Sequence, residues 1–198
     1  LHLGNGLDGI KILTDLVRST EIPIKQFMPS HINRIEHLIE QSMDFIRLGG
    51  YVDLTADFYK TKDSPTTYSI GDTLAIYKEN KLSLEGVCAS SDANGSSPIF
   101  DENGNLIEIG VGSPATLYKD IREAIQKEIV TLEEGISIIT KNPAKALKLY
   151  PQKGTLTEGK DADIVLLDKG LNVDTVIAKG EILVQQGKAI KKGYFEKQ

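Results

Sequence analysis

Three side chains in this 198-residue sequence are of the kind that holds a metal ion and moves a proton: His2, His31 and Asp92. Each stands at the end of a short strand-like run, in "LHLGNG", "KQFMPSHIN" and "EGVCASSD". Neutral imidazole nitrogens and a carboxylate are a natural ligand set for Zn²⁺, and a water on such a metal loses its proton near neutral pH. Hydrolysis is therefore the chemistry these residue types point to. Arg34, in the loop just after His31, carries a guanidinium able to hold a carboxylate in two parallel hydrogen bonds. Ser96, shortly after Asp92, can donate a hydroxyl to the same anion. Taken singly, each residue has a plainer reading: a hydrogen-bonded structural histidine, a surface salt bridge for Arg34, an Asx turn at Asp92 before "ANGS", a turn cap at Ser96. Their joint placement is what favours a site. His37, on the expected solvent side of a helix, is read as a surface residue, and Asp53, Asp57, Asp161 and Asp163 as structural.

The elements that must position these residues alternate. Ile10, Leu13 and Val17 give helical spacing over 7–18, and Ile35, Leu38, Ile39, Met43 and Ile46 give a second amphipathic helix that stops at Gly49-Gly50. "YVDLTAD" reads as a third strand, followed by a loop through Ser64-Pro65 and a helix over 70–80; "EGVCASSD" reads as a fourth strand. A polar stretch follows in which "DENGN" suits a hairpin turn, because Asn and Gly tolerate positive φ. Helices are expected over 117–128, after a Thr131/Glu134 capping box, and at Asn142-Pro143 as an N-cap with proline first in the helix. From Pro151 onward, "DIVLLD", "TVIAKG" and "EILVQQGK" are short β runs of a small β unit. Four strand-helix units in the first part are half of what a (β/α)8 barrel of about 250 residues contains. His2 and His31 lie 29 positions apart, close to one such repeat of about 31 residues. Right-handed connections would bring every strand's C-terminal end, and with it the three candidate ligands, to one face.

Composition sets the outer bounds. A hydrophobic fraction of 40% is ordinary for a globular chain. A net charge of -5 argues against a phosphate-binding surface, so nucleic acid is not an expected partner. The single cysteine, Cys88, cannot form an internal disulfide, and no apolar run approaches the roughly 20 residues that span a bilayer, so no membrane is expected and the cytoplasm is the expected compartment. The chain opens at "LHLGNG" without an initiator methionine, which reads as a fragment with an upstream portion missing. Half a barrel would expose strand edges, so a homo-oligomer or a missing segment is expected.

"HLGNG", "PSHINR", "SSDANGS" and "NPAKALKLYPQKGTLTEGKDADIVLLD" resemble the second half of amidohydrolase-superfamily enzymes, and within that superfamily the isoaspartyl dipeptidases. The resemblance runs over essentially the whole chain; the C-terminal motif is shared broadly, while "SHINR" joined to "SSDANGS" is more specific. It implies an α/β fold: strands 5–8 of a (β/α)8 barrel over residues 1–150, and part of a small β-sandwich over 151–198. It also implies a binuclear Zn²⁺ centre. By position, His2 and His31 match the two histidines of the more exposed metal, and Asp92 the aspartate that ligates the other and shuttles the proton. Arg34 and Ser96 match residues that bind the carboxylates of β-aspartyl dipeptides, the implied substrate. The remaining ligands, including a carboxylated lysine, have no counterpart and are expected upstream of Leu1, leaving this fragment alone inactive. The alternatives are a cyclic-amide or N-acyl-amino-acid hydrolase, and a non-catalytic scaffold.

Overall fold

The computed structural model describes residues 1–58, 66–101 and 105–193. Its first part is a repeat of extended segment and helix. Residues 1–3 lead to α1 (Lys11–Ser19), and residues 28–30 to α2 (Glu36–Arg47). β1 (Val52–Thr55) precedes α3 (Ile70–Glu79), and β2 (Val87–Ser90) closes the series. His2 bridges Ser30 and Ser30 bridges Asp53, both in parallel, and β1 runs parallel to β2 with Val52 opposite Val87 and Thr55 opposite Ser90. Neighbours in space are thus neighbours in sequence, all four point the same way, and each successive pair is joined through a helix, as a parallel connection requires.

The side chains explain the layering. Val52, Leu54 and Val87 are fully buried in one core with Leu38, Ile39 and Phe45 of α2, Leu74 and Tyr77 of α3, and Ile121 and Ile138 further on. Strand alternation sends the intervening residues, Asp53, Thr55, Cys88 and Ser90, to the other face. One face of the parallel array is aliphatic and the other is polar, yet Asp53, Thr55 and Cys88 are also buried. α2 ends where Gly49, at φ +90°, supplies the left-handed residue that helix C-termini favour.

After β2 comes an antiparallel hairpin, β3 (Ser96–Phe100) with β4 (Leu106–Val111), then α4 (Ala115–Gln126), α5 (Leu132–Ile139) and α6 (Lys141–Ala146). β5 (Ile164–Leu167), β6 (Val173–Ala178), β7 (Glu181–Gln185) and β8 (Lys188–Ala189) form an antiparallel sheet in sequential order. Thr131 and Glu134 cap α5 reciprocally, as their spacing predicts. The loop through Ser64-Pro65 and the centre of "DENGN" lie outside the described residues, although the two strands that turn would join are paired.

Two expectations need correction. α1 begins at Lys11 rather than Leu7: residues 6–11 form tight turns in which the Gly9 and Lys11 amides donate to Gly6 and Asp8 carbonyls. Asn142 is not an N-cap. It lies inside α6, whose cap position is Thr140, and is buried, its Nδ2 donating to the carbonyls of Leu84 (2.8 Å) and Val87 (2.7 Å). Pro143 is tolerated there because first-turn amides need no intrahelical acceptor. Among the described residues no helix is long and apolar enough to cross a membrane.

Candidate metal and substrate site

The parallel array places His2 and Ser30 side by side, and the next residue, His31, ends the second segment. Alternation alone would turn His31 away from the polar face. Instead its backbone is left-handed, at φ 68°, a conformation uncommon outside glycine, and its ring meets that of His2. His31 Nε2 lies 2.7 Å from His2 Nδ1, and His31 Nδ1 lies 2.8 Å from the Thr55 hydroxyl. With Nδ1–H donated to Thr55, Nε2 carries its lone pair towards His2, which is how a hydrogen bond behind a ligating histidine fixes its tautomer. Burial lowers the His31 pKa from its ordinary value, and the Arg34 charge lowers it further, against a smaller opposing effect of Asp92. The neutral form of His31, the one that binds metals, is therefore favoured.

The "HINR" loop is fixed by Asn33, which sequence reasoning passed over. Its side chain is fully buried, donates to the carbonyls of Thr55 (2.9 Å) and Tyr68 (2.8 Å), and accepts from the Thr55 amide (2.8 Å). Arg34 follows, half-buried, with its guanidinium carbon 5.6 Å from the Phe58 ring centre; the same ring stacks 6.1 Å from His31. The Arg34 Nε is buried and has no hydrogen-bond partner among the described residues, a donor in want of an acceptor beside the histidine pair.

Asp92 stands two residues beyond β2, exposed and left-handed at φ 48°. The turn after it is closed by its main-chain carbonyl, which accepts from the Gly95 amide at 2.9 Å. The carboxylate is thus not what closes that turn. A Cβ at Gly112 would approach the same carbonyl to 2.6 Å, so that position admits only glycine without a shift. The Asp92 charge acts on both His31 and Asp53. Ser96 opens β3, opposite Val111, and is exposed; among the described residues no hydrogen bond joins it to His2, His31 or Arg34. His37 is half-buried rather than on the surface, with Nε2 3.0 Å from the Gly6 carbonyl. Asp161 and Asp163 both pair with Lys153.

Asp53 is the residue whose environment sequence reasoning missed. Only 4% exposed, it accepts a hydrogen bond from Ser90 Oγ at 2.9 Å and lies opposite Ser30 in the parallel array. Burial pushes its carboxyl up to about 6, against the lowering effect of the two hydroxyls. Nothing in "YVDLTAD" distinguishes it from an ordinary strand-flanking aspartate, because its burial depends on the neighbouring segments.

Two converging imidazole nitrogens, one backed by a hydroxyl and with its pKa lowered, fit half of a zinc ligand set. Tetrahedral coordination spaces such nitrogens about 3.3 Å apart, so the pair needs to open by about 0.6 Å to share an ion. Among the described residues no group of three or more His, Cys, Asp or Glu is arranged to hold a metal. The residues present fit the metal as a partial site.

A mixed α/β chain with its polar residues gathered at the ends of parallel strands is the architecture of barrel hydrolases, and the comparisons agree: residues 72–183 match the amidohydrolase family, and the chain belongs to it. The β-aspartyl dipeptidase of the thermophilic, keratin-degrading Fervidobacterium islandicum AW-1, solved with a β-Asp-Leu dipeptide, superposes with a TM-score of 0.83 and 39% identity, over 98% of this chain and 50% of that one. N-acetylglucosamine-6-phosphate deacetylase of Lysinibacillus sphaericus is 41% identical over 185 residues, 93% of this chain and 40% of its own. D-hydantoinase of Thermus sp. shares the fold at a TM-score of 0.61 and 15% identity, over 83% of this chain and 46% of that one. The chain thus spans half or less of the length of these relatives.

Proposed function

We propose that the full-length protein containing this chain hydrolyses the isopeptide amide of β-aspartyl dipeptides in a metal-dependent reaction. The observation that carries the proposal is the His2–His31 pair with the unsatisfied Arg34 Nε beside it; the 39% identity to a dipeptidase solved with β-Asp-Leu supports the substrate class. In this reading residues 1–150 are the second half of a (β/α)8 barrel, and 151–198 belong to a small β-sandwich. His2, His31 and Asp92 would hold Zn²⁺, with further donors from a protein of the relatives' length.

A metal held by His2, His31 and Asp92 would supply Lewis acidity for the scissile carbonyl and lower the pKa of a water. The protein's own residues do the rest. Thr55 orients His31, and burial keeps its lone pair free. Asp92 accepts a proton from the attacking water and delivers it to the leaving amine, serving as base and then as acid. Arg34 and Ser96 hold carboxylates of the substrate, which sets which amide reaches the reacting centre. Local charge, rather than the net charge of -5, governs binding of the acidic dipeptide.

The full-length protein with Asp92→Asn should keep its fold and lose turnover of β-Asp-Leu by about 10²- to 10⁴-fold; near-normal turnover would refute the role. A chelator should abolish activity and Zn²⁺ restore it. A second reading, hydrolysis of an N-acyl amino sugar, is favoured by the 41% identity to the deacetylase. Cleavage of N-acetylglucosamine 6-phosphate in preference to β-Asp-Leu would establish it, and preference for a hydantoin would point to cyclic amides. A protein that binds no zinc and hydrolyses none of these is a scaffold.

A further inference from the structure

We propose that Asp53 is a positioning residue for this reaction: its buried carboxyl group clamps together the two segment ends that carry His31 and Asp92. The proposal rests on the metal-dependent reading above and extends it to a residue that binds neither metal nor substrate.

Asp53 sits in β1, between the segment ending at Ser30 and strand β2. Ser30 immediately precedes His31, and Ser90 lies two residues before Asp92. The Ser90 hydroxyl donates to the Asp53 carboxyl group at 2.9 Å, and on the other side Ser30 pairs with Asp53 across the parallel array, its hydroxyl helping to hold the Asp53 pKa down. The backbone repeats the arrangement, since the Asp53 amide donates to the Pro29 carbonyl at 2.9 Å and the Ala56 amide to the Ser90 carbonyl at 2.9 Å. Lateral contacts from both sides thus meet on a single residue, one layer below the ends where His31 and Asp92 turn out into left-handed backbone.

A carboxyl group at a site only 4% exposed is a costly way to fill an interior position, since an apolar side chain of similar size loses no solvation. What the carboxyl offers, and an aliphatic residue cannot, is a hydrogen-bond acceptor for Ser90 on one side and a polar neighbour for Ser30 on the other. These contacts, with the backbone bonds on either side, fix the spacing between the segment that ends in an imidazole and the strand that ends in the proton-transferring carboxylate. Groups behind metal ligands typically contribute about 10- to 100-fold in affinity or activity.

The test uses the full-length protein, wild type and with Asp53→Ala, Asp53→Asn or Ser90→Ala. Zinc affinity, the visible spectrum of the Co²⁺-substituted protein, and kcat and KM for β-Asp-Leu are measured. Asp53→Ala should weaken zinc binding about 10- to 100-fold, alter the Co²⁺ bands and lower kcat with KM little changed. Asp53→Asn, which retains an acceptor, should restore part of each. A folded Asp53→Ala protein with wild-type zinc affinity, Co²⁺ spectrum and kcat overturns the proposal. If Asp53→Ala does not fold, Ser90→Ala decides: a shift in zinc affinity supports the clamp, and unchanged values overturn it. Failure of the wild-type protein to cleave β-Asp-Leu refutes the substrate reading instead, while the zinc and Co²⁺ measurements still judge Asp53.

Discussion

Burial holds the Asp53 carboxyl at about 6, above the 3.8 of an unstructured aspartate. The folded state therefore binds a proton more tightly than the unfolded one, and the associated stability is complete below about pH 4 and lost as pH rises through about 6. The displacement is worth about 3 kcal/mol. His31 acts in the opposite sense: its pKa is lowered by burial, so the stability tied to its neutral form is lost as pH falls. The two are separated by comparison with Asp53→Asn, which cannot ionise at that position. In metal-free protein, the stability of the wild type relative to this variant should fall by about 2.5 kcal/mol between pH 4 and 7, as measured by urea denaturation. A flat difference would mean that Asp53 is not buried as described. At this scale the sequence singles out His2, His31 and Asp92 by residue type and strand-end position, and the structure brings the two histidines into contact. It could not reveal Asp53, Thr55 or Asn33, because what distinguishes them is the set of groups that other segments bring against them.

Among the elements, local signals were read correctly where the physics is local. The Thr131/Glu134 capping box needs only residues three apart, and it forms as predicted. Asn142-Pro143 carried a similarly local signal, but Asn142 is drawn into α6 because two carbonyls at the approach to and start of β2, those of Leu84 and Val87, need a donor. Thr131→Ala should accordingly cost about 1 kcal/mol. Asn142→Ala should cost about 2 kcal/mol or more, because it leaves two carbonyls without their protein donor. Thermal denaturation of the two variants tests the order; a larger loss for Thr131→Ala would contradict it. The helix start at Lys11 instead of Leu7 has a similar origin: the turns over 6–11 interrupt the helical spacing, and Ile10 still reaches the core from outside the helix.

Across the whole molecule, the aliphatic core runs from Leu3 to Ile138, while β5–β8 keep Val165, Leu166 and Ile182 exposed and are tied to α4 through Tyr118, whose hydroxyl donates to the Leu171 carbonyl at 2.8 Å. Amides of β5–β8 should therefore exchange with deuterium sooner than those of β1 and β2, since local opening there uncovers little buried apolar surface; equal protection would show that the sheet opens only with the core. The alternation of strand and helix and the Thr131/Glu134 cap were determined by the sequence itself, because periodicity and hydrogen bonding within a few residues are local. Tertiary structure alone decided that the His31 ring turns back to meet His2, that Arg34 keeps a donor unsatisfied beside them, and that Asp53 is buried between two serines. Each of these depends on parallel neighbours tens of residues apart in the chain, whose register is set when the aliphatic face closes on its helices and the polar face is left to arrange what remains.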